Sequence, residues 1–161
     1  MTVTPLPVPQ QVRELVEGLL GRSVEVRTVT RGVDLKASRE NLVGTYVTDD
    51  GHVSTVILVD LAAAARLGAA LGLAPRGGAD DAVKSGLLPV RLGENVAEVL
   101  NVAASLFNVD GAPHLRLDSV YGGDMPVPAD VATLAKAYSP RLDLELDVAG
   151  YGSGTWSIVL R

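Results

Sequence analysis

Glu98 and Asn101 stand three residues apart in the stretch ENVAEVLNVAASLFN, Glu94 to Asn108. Val96, Val99, Leu100, Ala103, Ala104 and Phe107 repeat there with the i, i+3, i+4, i+7 rhythm of a helix with one buried face. The opposite face holds Glu94, Asn95, Glu98, Asn101, Ser105 and Asn108, with no Lys or Arg. Asn is a poor helix former, and solvated faces usually mix charge signs. A carboxylate and a primary amide one turn apart on one face form a small polar constellation. The amide offers one acceptor and two donors, and it neither gains nor loses a proton near neutral pH.

Such a pair needs a rigid element beneath it, and composition allows one. The 161 residues suit one domain, and 47% of them are hydrophobic, enough for a sizeable core. Only 20% are charged, which argues against disorder over most of the length. There is no cysteine, hence no disulfide framework and no thiolate zinc site. The net charge of −5 argues against binding a nucleic-acid backbone. No signal peptide and no membrane-spanning apolar run is recognised, so a cytoplasmic protein with no membrane partner is expected.

Along the chain, residues 1–9 read as an extended lead-in through Pro5, Pro7 and Pro9, and residues 10–161 as a single domain. QQVRELVEGLLG predicts a helix stopped by Gly21, and SVEVRTVT an alternating strand that slips near its end. RGVDLKASREN is polar, with a possible strand start at Val33 to Leu35. LVGTYVT and VSTVILVD flank Asp50-Gly51, a hairpin signal. LAAAARLGAALGL predicts a helix ending near Gly72, and APRGGADDAVKSG the most loop-like segment. The Glu94 helix begins between Pro89 and Glu94. PHLRLDSVY reads as a strand, GGDMPVP as a loop, and PADVATLAKAY as a short helix opened by Pro128. LDLELDVAG and TWSIVL read as closing strands, turned by Gly150, Gly152 and Gly154. Trp156 is expected to pack inward, or to mark a dimer edge if exposed.

The two halves echo each other. VRELVE (Val12 to Glu17) can be laid on VAEVLN (Val96 to Asn101), which puts Glu14 on Glu98 and Glu17 on Asn101. DDGHVSTVIL can be laid on GYGSGTWSIVL, with Gly51 over Gly152 and Ile57 over Ile158. Helix, strand, connection and hairpin then occur twice. A repeat of this kind predicts an α/β (α+β) sandwich of antiparallel strands and two long helices related by a pseudo-twofold axis.

With Glu98-Val99-Leu100-Asn101 as an E-x-x-N motif on a long helix, the chain resembles the CheC/CheX family of chemotaxis phosphatases. Their fold is also used by the flagellar switch proteins FliM and FliY. The resemblance covers roughly Val12 to Leu160 as an order of elements. One full motif, in the second half, is the CheX arrangement; in the first half Glu17 stands where Asn would be needed. Two positions depart from the family pattern. Glu94 stands where Asp or Ser is common, and Ser105 where Gly is common.

The resemblance implies a two-layer CheX-like fold and hydrolysis of the aspartyl phosphate of a CheY-type receiver domain. In that reading Asn101 orients the attacking water, as the water-positioning Gln of GTPases does. Glu98 meets the receiver's lysine, while Glu94, Asn95 and Ser105 contact the partner. The chain itself binds no metal or cofactor, magnesium being held by the receiver. A homodimer formed through sheet edges is a further expectation, the last strand TWSIVL being apolar enough to want a cover. The alternative implied by the same fold is a non-catalytic binding or dimerisation module.

Other residues carry blander readings. Glu14 and Glu17 are expected to face solvent, or to be a decayed first motif. His52 and His114 are isolated, and Asp49, Asp50, Asp80 and Asp81 sit beside Gly in apparent loops without EF-hand spacing. GLGLAPRGG lacks the lysine-serine ending of a phosphate loop, and no Gly-x-Ser-x-Gly elbow is present.

Overall fold

The computed structural model describes residues 3–161. Helix α1 (Pro9–Leu20) buries Val12, Val16 and Leu20 and ends at Gly21, whose φ of 66° is the left-handed cap that glycine adopts freely. Residues 3–8 before it have no regular structure, and the lead-in's first two residues lie outside the described ones. Strand β1 (Val24–Thr28) stops where the alternation slips. The segment after it forms no strand at Val33 to Leu35. Strands β2 (Leu42–Val47) and β3 (Val53–Val59) form the hairpin, turned at Gly51 with φ 85°.

Helix α2 (Leu61–Leu71) begins at Asp60, whose Oδ1 accepts from Ala63 N at 2.8 Å and from Thr155 N at 3.1 Å. One carboxylate thus caps the helix and ties it to the last strand. The loop expected over APRGGADDAVKSG is instead helix α3 (Arg76–Ser85), stopped by Gly86 in the left-handed conformation. Its two glycines hid it. Tertiary packing overrides their poor propensity, because Ala79 and Ala82 are buried in the main core. Helix α4 (Val90–Val102) starts directly after Pro89. It does not run on to Asn108 as an α-helix but tightens into a 3₁₀ turn over Ala103–Leu106. Asn108 then redirects the chain, bonding both backbone groups of Leu115 at 2.9 and 2.8 Å. Strand β4 (Arg116–Tyr121), helix α5 (Ala129–Ala135), strand β5 (Arg141–Val148) and strand β6 (Gly152–Leu160) complete the order.

All six strands join one antiparallel sheet in the order β1-β5-β6-β3-β2-β4. Exchanging β1 with β4, β2 with β5, and β3 with β6 reverses that order and leaves it otherwise unchanged. The pseudo-twofold axis therefore passes between β3 and β6. Ile57 and Ile158, equivalent in the two halves, pair with each other there. Helices α1, α2 and α4 cover one sheet face over Ile57, Val59, Trp156 and Ile158. On the other face α5 packs Val131 and Ala135 against Val43, Val56, Leu58 and Val159.

Two expectations about the last hairpin are corrected. Gly152 and Gly154 belong to β6 rather than to the turn. A side chain at Gly154 would lie 2.2 Å from Ala63 N, so glycine there lets α2 rest on the strand. Nor does β6 want a cover, because it is central and lies between β3 and β5. Trp156 packs inward as expected, fully buried. The true edges, β1 and β4, carry Glu25, Arg27, Arg116 and Asp118 at outward positions, which discourages edge-to-edge pairing.

Candidate functional site

Helix α4 is seated by close backbone approach and by one buried hydroxyl. At its crossing with α2, a Cβ on Gly68 would fall 2.4 Å from the Leu92 carbonyl oxygen. Asn95 spans the same crossing, its Nδ2 donating to Gly68 O at 3.0 Å. Lower down, the fully buried Tyr46 donates its hydroxyl to the carbonyl of Leu100, and its ring meets Phe107 edge-on at 5.4 Å. Burial pushes the Tyr46 phenol far above its ordinary range, so it remains a donor at any physiological pH. These contacts fix the helix immediately beneath Asn101.

The outward face carries Glu94, Glu98, Asn101 and Ser105, all exposed. Among the described residues no side-chain hydrogen bond or ion pair engages Glu94, Glu98 or Asn101. Glu98 and Asn101 lie one turn apart on the α-helical part, whereas Ser105 sits in the 3₁₀ turn. Asn95 does not join this face. It is half-buried and its amide serves the α2 contact, so it is placed to position α4 rather than to meet a partner. Asn108, too, is occupied by the Leu115 backbone. The helix starts early enough to include exposed Arg91, so the face is less uniformly acidic than Glu94 to Asn108 alone suggests.

The first-half counterpart is put to different use. Glu17, at the position equivalent to Asn101, accepts from Val24 N at 3.0 Å and from Arg13 at 3.5 Å. The Val24 N–H holds its carboxyl below the usual glutamate value. Glu14 accepts from Gln10 Nε2 at 3.0 Å. Glu17 is a clamp between α1 and β1, which leaves α4 as the one helix with an E-x-x-N pair.

Elsewhere the polar groups close on themselves. His52 pairs with Asp50 at 2.9 Å and His114 lies 3.9 Å from Asp49, all exposed. Asp80 meets Arg66 and Arg76 at 3.5 and 3.3 Å. A cavity of about 430 Å³ on the α5 side is lined by Val33, Leu35, Ala135, Tyr138 and the Arg141–Asp143 pair. Arg141 is consumed there by both Asp143 oxygens and by the carbonyls of Ala135 and Ala137, which makes it a cap for α5. Among the described residues no group of three His, Asp or Glu could hold a metal ion. Among them, too, no helix is long and apolar enough to cross a membrane.

No protein-family model matches the sequence, and no curated relative does. Solved structures do. The FliM middle domain from H. pylori aligns over 94% of this chain and 84% of its own, at 10% identity and a TM-score of 0.59. The CheX of a CheX-CheY-BeF3-Mg complex from Borrelia burgdorferi aligns over 93% and 92%, at 12% identity and a TM-score of 0.53. A chemotactic CheC-like protein from Shewanella oneidensis aligns over 94% of both chains, at 15% identity and a TM-score of 0.52. The chain has the CheC/CheX fold. Within that fold the E-x-x-N pair of this sequence lies on α4, the second-half helix, with its side chains outward.

Tyr46 was not singled out by sequence reasoning, although the signal was present. An aromatic residue with a polar tip inside a run of strand formers needs a buried acceptor. Nothing in LVGTYVT says that the acceptor is a helix carbonyl distant in sequence.

Proposed function

We propose that this chain is a CheX-like phosphatase that hydrolyses the aspartyl phosphate of a CheY-type receiver domain. The observation that supports this best is the exposed Glu98/Asn101 pair, without a side-chain partner among the described residues, on a helix locked from below by Tyr46. A water oxygen attacks phosphorus in line with the acyl–phosphate bond. That bond breaks, its electrons return to the receiver's aspartate carboxylate, and inorganic phosphate leaves with the water's protons. Asn101 takes no proton. Its carbonyl accepts from the water and its NH2 donates, which fixes the angle of attack. Glu98 meets the receiver's lysine and sets the register of α4 in the cleft. Magnesium is held by the receiver. Such a partner places the chain in the cytoplasm.

A rigid helix suits this task because a positioning group must hold its geometry while the partner comes and goes. The acidic end of the face also complements a cleft rimmed by lysine, which speeds encounter.

The FliM likeness favours a second reading, a non-catalytic binding module, since the same fold serves both kinds of protein. The discriminating experiment follows the decay of phosphorylated, magnesium-bound receivers with and without the chain, alongside Asn101→Ala. Faster decay with the native chain, lost in the variant while binding persists, supports the phosphatase. Unchanged decay of every receiver that binds supports the module.

A further inference from the structure

The cavity beside α5 lies on the sheet face opposite α4 and takes no part in the Glu98/Asn101 site. Its volume of about 430 Å³ falls within the range of pockets that hold small organic molecules. Two walls enclose it, and both are held in place. One is the irregular segment of residues 30–36. Gly32 of that segment rests on the cavity floor: a Cβ there would fall 2.1 Å from Asp143 Oδ1 and 2.8 Å from Ser157 Oγ. Beside it the Val33 N–H donates to the fully buried Ser157 hydroxyl at 3.0 Å. The other wall is the end of α5, where Arg141 holds the carbonyls of Ala135 and Ala137 at 3.2 and 3.0 Å. The cavity is therefore preformed, and a ligand entering it has little chain to order.

Its chemistry is divided between an apolar interior and a charged mouth. Val33 and Leu35 form the first wall, and Ala132 and Ala135 the second, where small side chains leave room that larger ones would fill. At the floor Arg141 and Asp143 neutralise each other through two hydrogen bonds of 2.9 Å. Lys36 and Lys136 line the cavity from exposed positions, and among the described residues neither ammonium has a hydrogen bond or an ion pair. Asp34 is the one acid beside them, and one of its oxygens accepts from the Lys36 N–H at 2.9 Å. Two cations against one acid leave the mouth positive, on a chain whose net charge is −5. Tyr138 stands there too, with its side chain fully exposed.

We propose that this cavity binds a small amphipathic anion, a straight-chain aliphatic carboxylate in its simplest form. The apolar chain lies against Val33, Leu35 and Ala132, and the carboxylate stays at the mouth with Lys36 and Lys136. Removing the chain and the walls from water supplies the affinity. The lysines choose the sign of the head group and leave it solvated, so no charge is buried. Closure on three sides, by the segment, α5 and β5, suits a small molecule. A peptide segment would need an open groove or a free sheet edge.

The test titrates the full chain with carboxylates from butanoate to octanoate, read by calorimetry and by thermal melting. Each added methylene is expected to tighten binding about fourfold. Octylammonium, with the same chain and the opposite charge, should bind about tenfold more weakly than octanoate or worse. Lys36→Glu combined with Lys136→Glu should weaken octanoate about tenfold and strengthen octylammonium. Ala132→Leu fills the cavity from α5 with a good helix former, and should abolish binding without lowering the melting temperature. No octanoate binding by a cooperatively melting chain overturns the proposal. So does equal binding of octanoate and octylammonium. Octanoate binding that Ala132→Leu leaves intact places the ligand elsewhere on the molecule and overturns it as well. None of these variants touches α4, so the outcome is independent of the phosphatase reading.

Discussion

The hydroxyl of Tyr46, buried near the end of β2, donates to the carbonyl of Leu100, the residue immediately before Asn101. A strand of the first half thus fixes the backbone that presents the second half's amide. Replacing Tyr46 by Phe removes the donor and strands a buried carbonyl. The expected loss is about 1–2 kcal/mol in urea unfolding. Receiver dephosphorylation should fall further than stability alone explains, because α4 is freed to shift beneath the amide. Equal activity per folded molecule would show that the bond only stabilises.

Asn101→Ala separates positioning from folding. Alanine is the better helix former, so the variant should be more stable by a few tenths of a kcal/mol. Dephosphorylation should drop roughly 100-fold, the scale of a lost positioning group. Glu98→Gln should chiefly weaken binding, seen as a raised KM. Single-turnover decay with the receiver in limiting amount reads both effects.

Gly68→Ala tests the α2–α4 crossing. Its Cβ would lie 2.4 Å from the Leu92 carbonyl, a backbone atom that cannot step aside. The helices must separate, at a cost of about 2 kcal/mol or more. Thermal melting measures it. Asn95→Ala at the same crossing should be milder, losing one half-buried hydrogen bond. Receiver binding should track stability in both, because neither residue belongs to the outward face.

Acid should destabilise the fold through two carboxylates. Glu17 is held below its ordinary value chiefly by the Val24 N–H. For Asp143 burial acts upward, but hydrogen bonds from Arg141 and Ser157 together outweigh it and the net direction is down. A lowered folded-state value means that the stabilisation is fully present above the ordinary carboxylate range. It is lost as pH falls through the lowered values. Stability measured between pH 6 and pH 2.5 should fall most steeply below about pH 4. Glu17→Gln should flatten part of that slope; an unchanged slope would remove Glu17 from the account.

Much of this was legible in the sequence, because the strongest signals were periodic. The buried face from Val96 to Phe107 follows helical spacing, and each of those residues is buried. The overlay of Ile57 on Ile158 has a physical counterpart in their pairing across the pseudo-axis. What escaped was set by neighbours distant in the chain. Helix α3 forms despite Gly77 and Gly78 because α2 offers a surface for Ala79 and Ala82. Asn95 looked like its neighbours on the polar face, yet Gly68 takes its amide. The TWSIVL strand looked like an edge in need of a cover, but the order of strands in a sheet is not written in any one strand.

The central pair of the sheet has a bearing on how the protein is made. It joins β3 to β6, the third strand in the chain to the sixth, with about a hundred residues between partners. On the ribosome the β2–β3 hairpin can gain β4 beside β2 once Tyr121 has emerged, but the other edge of β3 waits for β6 until translation has passed Leu160. Until then that edge of β3 has no partner strand. The sheet should therefore be completed only after β6 has emerged. Nascent chains stalled before β6 should remain protease-sensitive, and those extended beyond it by an unstructured tether should become resistant in a single step.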